Sequence, residues 1–522
     1  MSGATDSRTD VVIVGGGHNG LVAAGYLARA GRRVRLLERL DHVGGAAVSA
    51  HAFEGVDARL SRYSYLVSLL PQRIIDDLGA RIRLVRRRWS SYTPDPASGG
   101  RTGLLVGPSS TFGAVGAAAD EAGFDEFYRR CRTVTARVWP TLTEPLQTRS
   151  QLCREIIGAG GPDAEWAWRT LVDQPIGDAI TSAVRSDLVR GVMATDALIG
   201  TFAALDDPSL QQNACFLYHL IGGGTGDWDV PIGGMGAVSG ALAAAAAGFG
   251  ADILTGAEVE SITPDGEVRY RHGGAQHRVV GDHVLANVTP AVLAGLLGED
   301  RPDVAPGAQV KVNLMLRRLP RLRDDTVTAE QAFGGTFHIN ENYSQLDSAY
   351  RQAAEGAVPE PLPCEIYCHS LADPTILSDA LRATGAHTLT VFGLHTPHHL
   401  MTAGSPERLR DTLTSAVLTS LNSVLAEPIH DVLMEDAEGR LCIETKTTAD
   451  LEDALGMTNG HIFHGALSWP FAEDDEPLST PAQRWGVATT HERILLCGSG
   501  SRRGGAVSGI GGHNAAMAVL DR

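Results

Sequence analysis

Lysine is nearly absent from this chain: Lys311 and Lys446 are the only two among 522 residues, against more than forty arginines. No C-x-x-C pair occurs among the seven cysteines (Cys131, Cys153, Cys215, Cys364, Cys368, Cys442 and Cys497), whose number is odd and spacing irregular. A redox dithiol, a zinc site and the disulfide framework of a secreted protein are therefore not expected. Cys364 and Cys368, in the strand-like CEIYCHS, read as core or surface thiols rather than a ligand pair. Positive charge is also in deficit. The net charge of −17 speaks against nucleic acid as a partner and against electrostatic docking to anionic lipid. The Arg86–Arg88 run is expected to be a solvated face. No uninterrupted apolar run reaches the ~18 residues of a membrane span; the alanine-rich run from Ala241 to Ala247 is too short and reads as a packed helix. The first strand begins about ten residues in, so no signal or transit peptide is expected. The chain is expected to be cytoplasmic, with membrane association at most peripheral.

Glycine, by contrast, is abundant, at 60 residues, as expected where backbone must approach a ligand closely. The most informative segment is DVVIVGGGHNGLVAAGYLARAGRRVRLLERLDHVGGAA, from Asp10 to Ala47. Val11–Val14 is an apolar run of the kind buried on both faces of a parallel sheet. Gly15, Gly17 and Gly20 then supply G-x-G-x-x-G: a tight turn, a close approach to a pyrophosphate, and close helix packing. A helix of about Asn19 to Ala30 aims its N-terminal N–H groups at the phosphates, and Gly31 stops it. Val34–Leu37 forms a second strand ending in Glu38, 18 residues beyond Gly20. A carboxylate there accepts from ribose hydroxyls and repels a 2′-phosphate, which disfavours NADP. The second glycine pair, Gly44–Gly45, favours FAD over NAD.

Two further glycine segments follow. Pro231–Ile262 predicts a helix of about Ala237 to Phe249, a short strand, a turn at Gly256 and a strand at Val259–Ile262. RILLCGSGSRRGGAVSGIGGHNAAMAVL predicts a strand at Ile494–Cys497, a glycine turn, and a helix from about Val507 whose N–H groups aim at a flavin edge. Lys311 lies in GAQVKVNLMLRRLP among apolar residues, where an ammonium needs a partner or a task.

These segments resemble the phytoene desaturase-like flavoproteins, within the amine oxidase and glutathione-reductase-like FAD superfamily. The signatures are GHNGLVAAGYLARAG (17–31), ERLDHVGGAAV (38–48), SYLVSLL (64–70), GGMGAVSGAL (233–242), GHIFHG (460–465) and GGAVSGIGGHNAA (504–516). The resemblance implies non-covalent FAD in an extended pose. Glu38 would bind the adenosine ribose, and Gly44, Gly45 and Ala46 would lie by the pyrophosphate and flavin. Val259 would hold the adenine through its backbone. Gly505, Ala506 and Val507 would line the flavin, with His18, Asn19, Arg39 and Gly498 completing the cofactor set. The family's P-G-G-G-V is here Arg503-Gly504-Gly505-Ala506-Val507. GHIFHG runs on into ALSWPFAEDDEPL, without the family's aspartate and paired phenylalanines.

The implied fold class is α/β, a discontinuous Rossmann-like FAD domain (about 1–90, 225–305 and 455–522) with an inserted α+β substrate domain (about 91–224 and 306–454). Strands are expected at Val310–Leu316 and Thr388–Leu394, and a surface excursion at Thr93–Gly107. Lys311 resembles the lysine that amine oxidase relatives place by flavin N5 through a water; a structural or surface lysine is the alternative. His464 is the second catalytic candidate. Tyr63 and Tyr65 either face the flavin or are core aromatics, and His395 and Trp469 complete the expected substrate pocket. H-x-x-H-H at His395, His398 and His399 has a metal-like spacing, but a proline-broken loop without nearby acids speaks against a metal. The expected reaction moves a hydride from a C–H bond of a hydrophobic or secondary-metabolite substrate to flavin N5. It forms C=C or C=N and passes electrons to oxygen or a quinone, since no second dinucleotide arm is found. A flavin-dependent isomerase and a non-catalytic FAD-binding scaffold are the alternatives.

Overall fold

The computed structural model describes residues 7–402 and 405–521. Two seven-stranded sheets share the molecule with a helical layer. In the first sheet the strands run in the order Glu258–Ile262, Glu267–His272, Ala275–Ala286, Ser7–Val14, Val34–Leu37, Asp252–Leu254, with Ile494–Leu496 pairing along the end of Ala275–Ala286. Ser7–Val14 is parallel to both of its neighbours, and Val11, Val12 and Ile13 are fully buried. That explains an apolar run without alternation: helices cover one face and further strands and loops the other.

The helices on this sheet are poor in large side chains, so they come close. His18–Arg29 packs against Met235–Gly248 and against Ile510–Leu520. A Cβ on Gly512 would stand 1.9 Å from the Asn19 carbonyl oxygen, so only glycine permits that crossing. The last helix starts at Ile510 rather than at Val507. Ala506 and Gly509 are in the left-handed region, at φ +59° and +69°, which keeps residues 498–509 as a turn.

The second sheet runs in the order Ile443–Lys446, Gln309–Leu316, His387–Leu394, Cys364–Tyr367, Thr336–Ile339, Ser91–Pro94, Gly103–Val106. It is antiparallel except where Thr336–Ile339 meets Ser91–Pro94. Thr93–Gly107 is thus no surface excursion. It is mostly a hairpin on the edge of this sheet, held by Tyr92, Leu104 and Leu105, each under 5 % exposed. Its prolines sit at the strand end and in the connection, where no ladder N–H is needed. Helices between Glu121 and Ile221 pack a large apolar core over this region. Among the described residues no helix is long and apolar enough to cross a membrane.

Candidate active site

The glycine turns form one end of an elongated cavity of about 390 Å³. The first two glycine segments dock on each other: Gly44 N–H donates to the Gly16 carbonyl at 2.8 Å. Gly15, at φ +101°, and Gly20 are required by packing, since added Cβ atoms would stand 2.5 Å from Asn287 O and 2.3 Å from Gly15 O. Gly17 differs. Its φ is −68° and the nearest atom to an added Cβ is a side-chain nitrogen at 3.1 Å. Its missing side chain serves the cavity it lines. It is also the N-cap of His18–Arg29, where no side chain caps the helix and no acid occupies the first turn. The free N–H groups and positive dipole end suit an anionic group.

Glu38 is 7 % exposed and lines the same cavity. Its Oε2 accepts from Gly16 N–H at 2.6 Å and its Oε1 from Leu40 N–H at 2.9 Å. Two backbone donors fix the carboxylate and leave a lone pair on each oxygen for hydroxyl groups. Arg39, Val259 and Leu455 lie at this end of the cavity, and Gly45, Ala46 and Val507 further along it. Uncapped helix, oriented carboxylate and open glycine cradle together fit an adenine dinucleotide.

The cavity is also lined by Tyr63, Tyr65, Lys311 and Phe392, and by His464, which lies near His18 and the last glycine turn. Lys311 is 5 % exposed; its Nζ donates to the carbonyls of Ser61 at 2.7 Å and Tyr63 at 2.9 Å and lies 5.5 Å from the Phe392 ring centre. Burial lowers its pKa to about 7, against the opposing pull of Glu444. Directly across the strand pair is Lys446, which lines the same cavity and lies 3.6 Å from Glu444. The chain's only two lysines are therefore neighbours at one site. His464 adopts φ +65°, and its buried Nδ1 has no partner. Burial holds its pKa down at about 3, with His18 and His461 adding to the effect, so the ring is neutral. His18 Nε2 lies 3.1 Å from the Ala506 carbonyl; a carbonyl only accepts, so Nε2 carries the proton.

Ten of the expected cofactor residues line the cavity: Gly15, Gly17, His18, Glu38, Arg39, Gly45, Ala46, Val259, Ala506 and Val507. Asn19, Gly20, Gly44, Gly498 and Gly505 lie behind it and set the turns. Tyr65 is both of its alternatives at once: it faces the cavity and packs on Tyr367 and Phe392, at 4.6 and 4.4 Å between ring centres. His395 and Trp469 are not pocket residues. His395 is 1 % exposed and packs against Phe202 and Tyr350; Trp469 stacks on Phe471 beside the helical core. In each case a non-repeating loop turns the ring into neighbouring apolar packing. His398 and His399 part company, towards Thr448 and towards the Ala353 carbonyl. Arg87 is not on a solvated face: it donates to Trp228 O and Thr336 Oγ1 and lies over the Tyr367 ring.

Asn287 went unnoticed in the sequence. It follows the strand Ala275–Ala286, its Nδ2 donates to Gly15 O at 2.9 Å, and it braces the first glycine turn. Its only signal is its place at a strand end just before the Thr289–Pro290 helix start.

Arg503 replaces the family's proline and has a structural task. It is 2 % exposed and donates to the carbonyls of Thr141, Glu144 and Trp485 at 2.8, 2.7 and 3.1 Å. This clasps the last glycine turn to the helical layer. Arg503→Met is expected to cost about 2 kcal/mol, read as a lower urea midpoint at unchanged m-value. An unchanged midpoint refutes the clasp.

Residues 13–72 match the model of the NAD(P)-binding Rossmann-like domain family. The chain is 67 % identical to uncharacterized protein Rv0897c of Mycobacterium tuberculosis, over 99 % of this chain and 97 % of the relative. The chain belongs to the family of Rv0897c. Over 99 % of its length and 94 % of the relative's, it is also 29 % identical to pyridine nucleotide-disulfide oxidoreductase domain-containing protein 2 of Rattus norvegicus. The fold is shared with putrescine oxidase bound to putrescine, at a TM-score of 0.55 and 17 % identity over 99 % of both chains.

Proposed function

We propose that the chain is an FAD-dependent oxidoreductase that takes a hydride from a C–H bond of a hydrophobic organic substrate, leaving a C=C or C=N bond. The observation that carries this is a single cavity lined together by Glu38, Val259, the open glycines, Lys311 and His464. Glu38 and the glycine turn would hold the dinucleotide, and Tyr63, Tyr65, Phe392 and Lys311 would line the space beside its second ring system. FAD, bound there, supplies the hydride acceptor. The domain division expected above fits this reading, with the second sheet roofing the site. Putrescine oxidase, by its name an oxidase of an amine, lends support through the shared fold.

The chain's own residues bind, orient and hold protons. The Gly17–Asn19 amides bind the pyrophosphate, and Glu38 orients the ribose. The apolar walls at Leu66, Ile199 and Phe392 exclude water from the reacting carbon. Lys311 holds a proton at Nζ, with its pKa brought near 7 so that it exchanges that proton at working pH. His464, neutral and with Nδ1 free, is positioned to accept a hydrogen bond from the substrate. Oxygen or a quinone is the proposed electron acceptor, in the cytoplasm; the sequence carries one G-x-G-x-x-G arm, and the first cofactor takes it.

Anaerobic mixing of the purified yellow protein with amines and unsaturated hydrocarbons tests this. The expected result is bleaching of the visible flavin band. Turnover only after pre-reduction would instead identify an isomerase, and no response in either state a scaffold.

A further inference from the structure

A second cavity, of about 510 Å³, adjoins the first. The two share Ile199, His219 and Trp228 as a common wall. His219 and Trp228 stack with ring centres 4.8 Å apart, and Trp228 Nε1–H donates to the His219 carbonyl at 3.3 Å. The exposed Arg86, Arg88 and Arg132 lie at the outer rim. The inner end is made where the helical layer meets the second sheet, by Thr195, Asp196, His338, Glu365 and Tyr367.

The donors at that inner end are the Thr195 and Tyr367 hydroxyls and the neutral His338 ring, facing the carboxyls of Glu365 and Asp196. Glu365 is 2 % exposed; the Tyr367 hydroxyl meets its carboxyl, and its Oε2 has no partner. Asp196 borders the same space. Behind them lies Glu341, 1 % exposed, whose carboxyl meets the Thr195 hydroxyl. Burial pushes the Glu365 and Asp196 carboxyls above the usual carboxylate range. His338 faces Glu365 at 4.0 Å but is held neutral by burial. The one arginine nearby, Arg87, directs Nε to Trp228 O and Nη1 to Thr336 Oγ1. A buried acceptor without a donor is costly, and Glu365 lines a space large enough for a ligand.

We propose that this cavity anchors a cationic nitrogen, an amine or a guanidine, at the far end of the substrate, while the apolar body crosses beside the His219–Trp228 pair into the first cavity. The inference rests on reading the first cavity as the flavin site. An ammonium presents several N–H donors and meets Glu365, Asp196 and Thr195 together. A carboxylate there would face Glu365 and Asp196. An alcohol supplies a single donor. The anchored nitrogen is distant from the carbon that reacts, so the substrate is an amphiphile with an apolar reacting segment and a basic end.

Calorimetric titration of the holoprotein with 4-phenylbutylamine, 4-phenylbutanol and 4-phenylbutyrate tests this. The amine is expected to bind at least about tenfold tighter than the alcohol, with the butyrate weakest. Glu365→Gln is expected to remove the preference for the amine while retaining flavin. Asp196→Asn, which changes a different element, is expected to reduce it and covers the case where the first variant fails to fold. An amine that binds no tighter than the alcohol, or a preferred butyrate, overturns the inference. The flavin reading fails separately, as a protein isolated without flavin, and calorimetry still measures the amine preference then.

Discussion

Gly17→Ala is expected to yield a folded protein that has lost most of its flavin. Gly17 already has φ −68°, which any residue adopts, and a methyl there meets only the Asn287 side-chain nitrogen, at 3.1 Å. The chain therefore tolerates the change. The cavity does not, because the methyl stands where the pyrophosphate must approach the helix N-terminus. Overpacking of about 1–3 kcal/mol corresponds to an affinity loss of up to about a hundredfold. The ratio of visible flavin absorbance to protein absorbance after dialysis measures it, beside a thermal melt of the apoprotein. Gly20→Ala is the contrast: its methyl would stand 2.3 Å from Gly15 O, so it is expected to lower the apoprotein melt itself. If Gly17→Ala keeps full flavin, the first glycine turn is not the dinucleotide cradle.

Lys311→Met is expected to slow anaerobic bleaching by substrate at least about tenfold, as loss of a positioned proton-holding group does. The wild-type rate should inflect near pH 7, where burial has brought the Lys311 pKa, and the variant's should not. A lysine that merely tied Ser61 and Tyr63 together would change melting without moving that profile. Stability supplies a second signature. The amine falls from 10.5 when unfolded to about 7 when folded. Between those values the unfolded chain binds more protons, so stability rises with pH across that window. Below about pH 7 both states are protonated, and the full penalty of the buried charge remains. Relative to Lys311→Met, the wild type should gain roughly 4–5 kcal/mol from pH 7 to above pH 10. Parallel stability curves for the two proteins would place the ammonium in a solvated setting and end its assigned role.

The dinucleotide arm was legible because its determinants are local. A four-residue apolar run, glycines at fixed offsets and an acid at a strand end each act within about thirty residues of chain. Lys311 stood out by scarcity. Its partner Lys446 did not, because a cross-strand neighbour 135 residues away leaves no mark in the sequence. The hairpin at 91–106 was misread for a related reason. Two prolines and three glycines from Thr93 to Gly103 look like a loop, and pairing with Gly103–Val106 and with Thr336–Ile339 makes a strand of Ser91–Pro94. His395 and Trp469 leave the expected pocket because loop geometry turns their rings into apolar packing against Phe202 and Tyr350 and against Phe471.

The opening scarcity of lysine and the excess of glycine carry different kinds of information. Glycine turns constrain the backbone directly, so the binding of a dinucleotide and the class of fold follow from short-range stereochemistry. A side chain's chemistry depends on what surrounds it. The lowered pKa of Lys311, the free Nδ1 of His464 and the acid-lined end of the second cavity arise only where residues from distant segments meet and shut out water. Desolvation is a property of the packed chain, and packing decides which ionisable groups are reactive and which are merely buried.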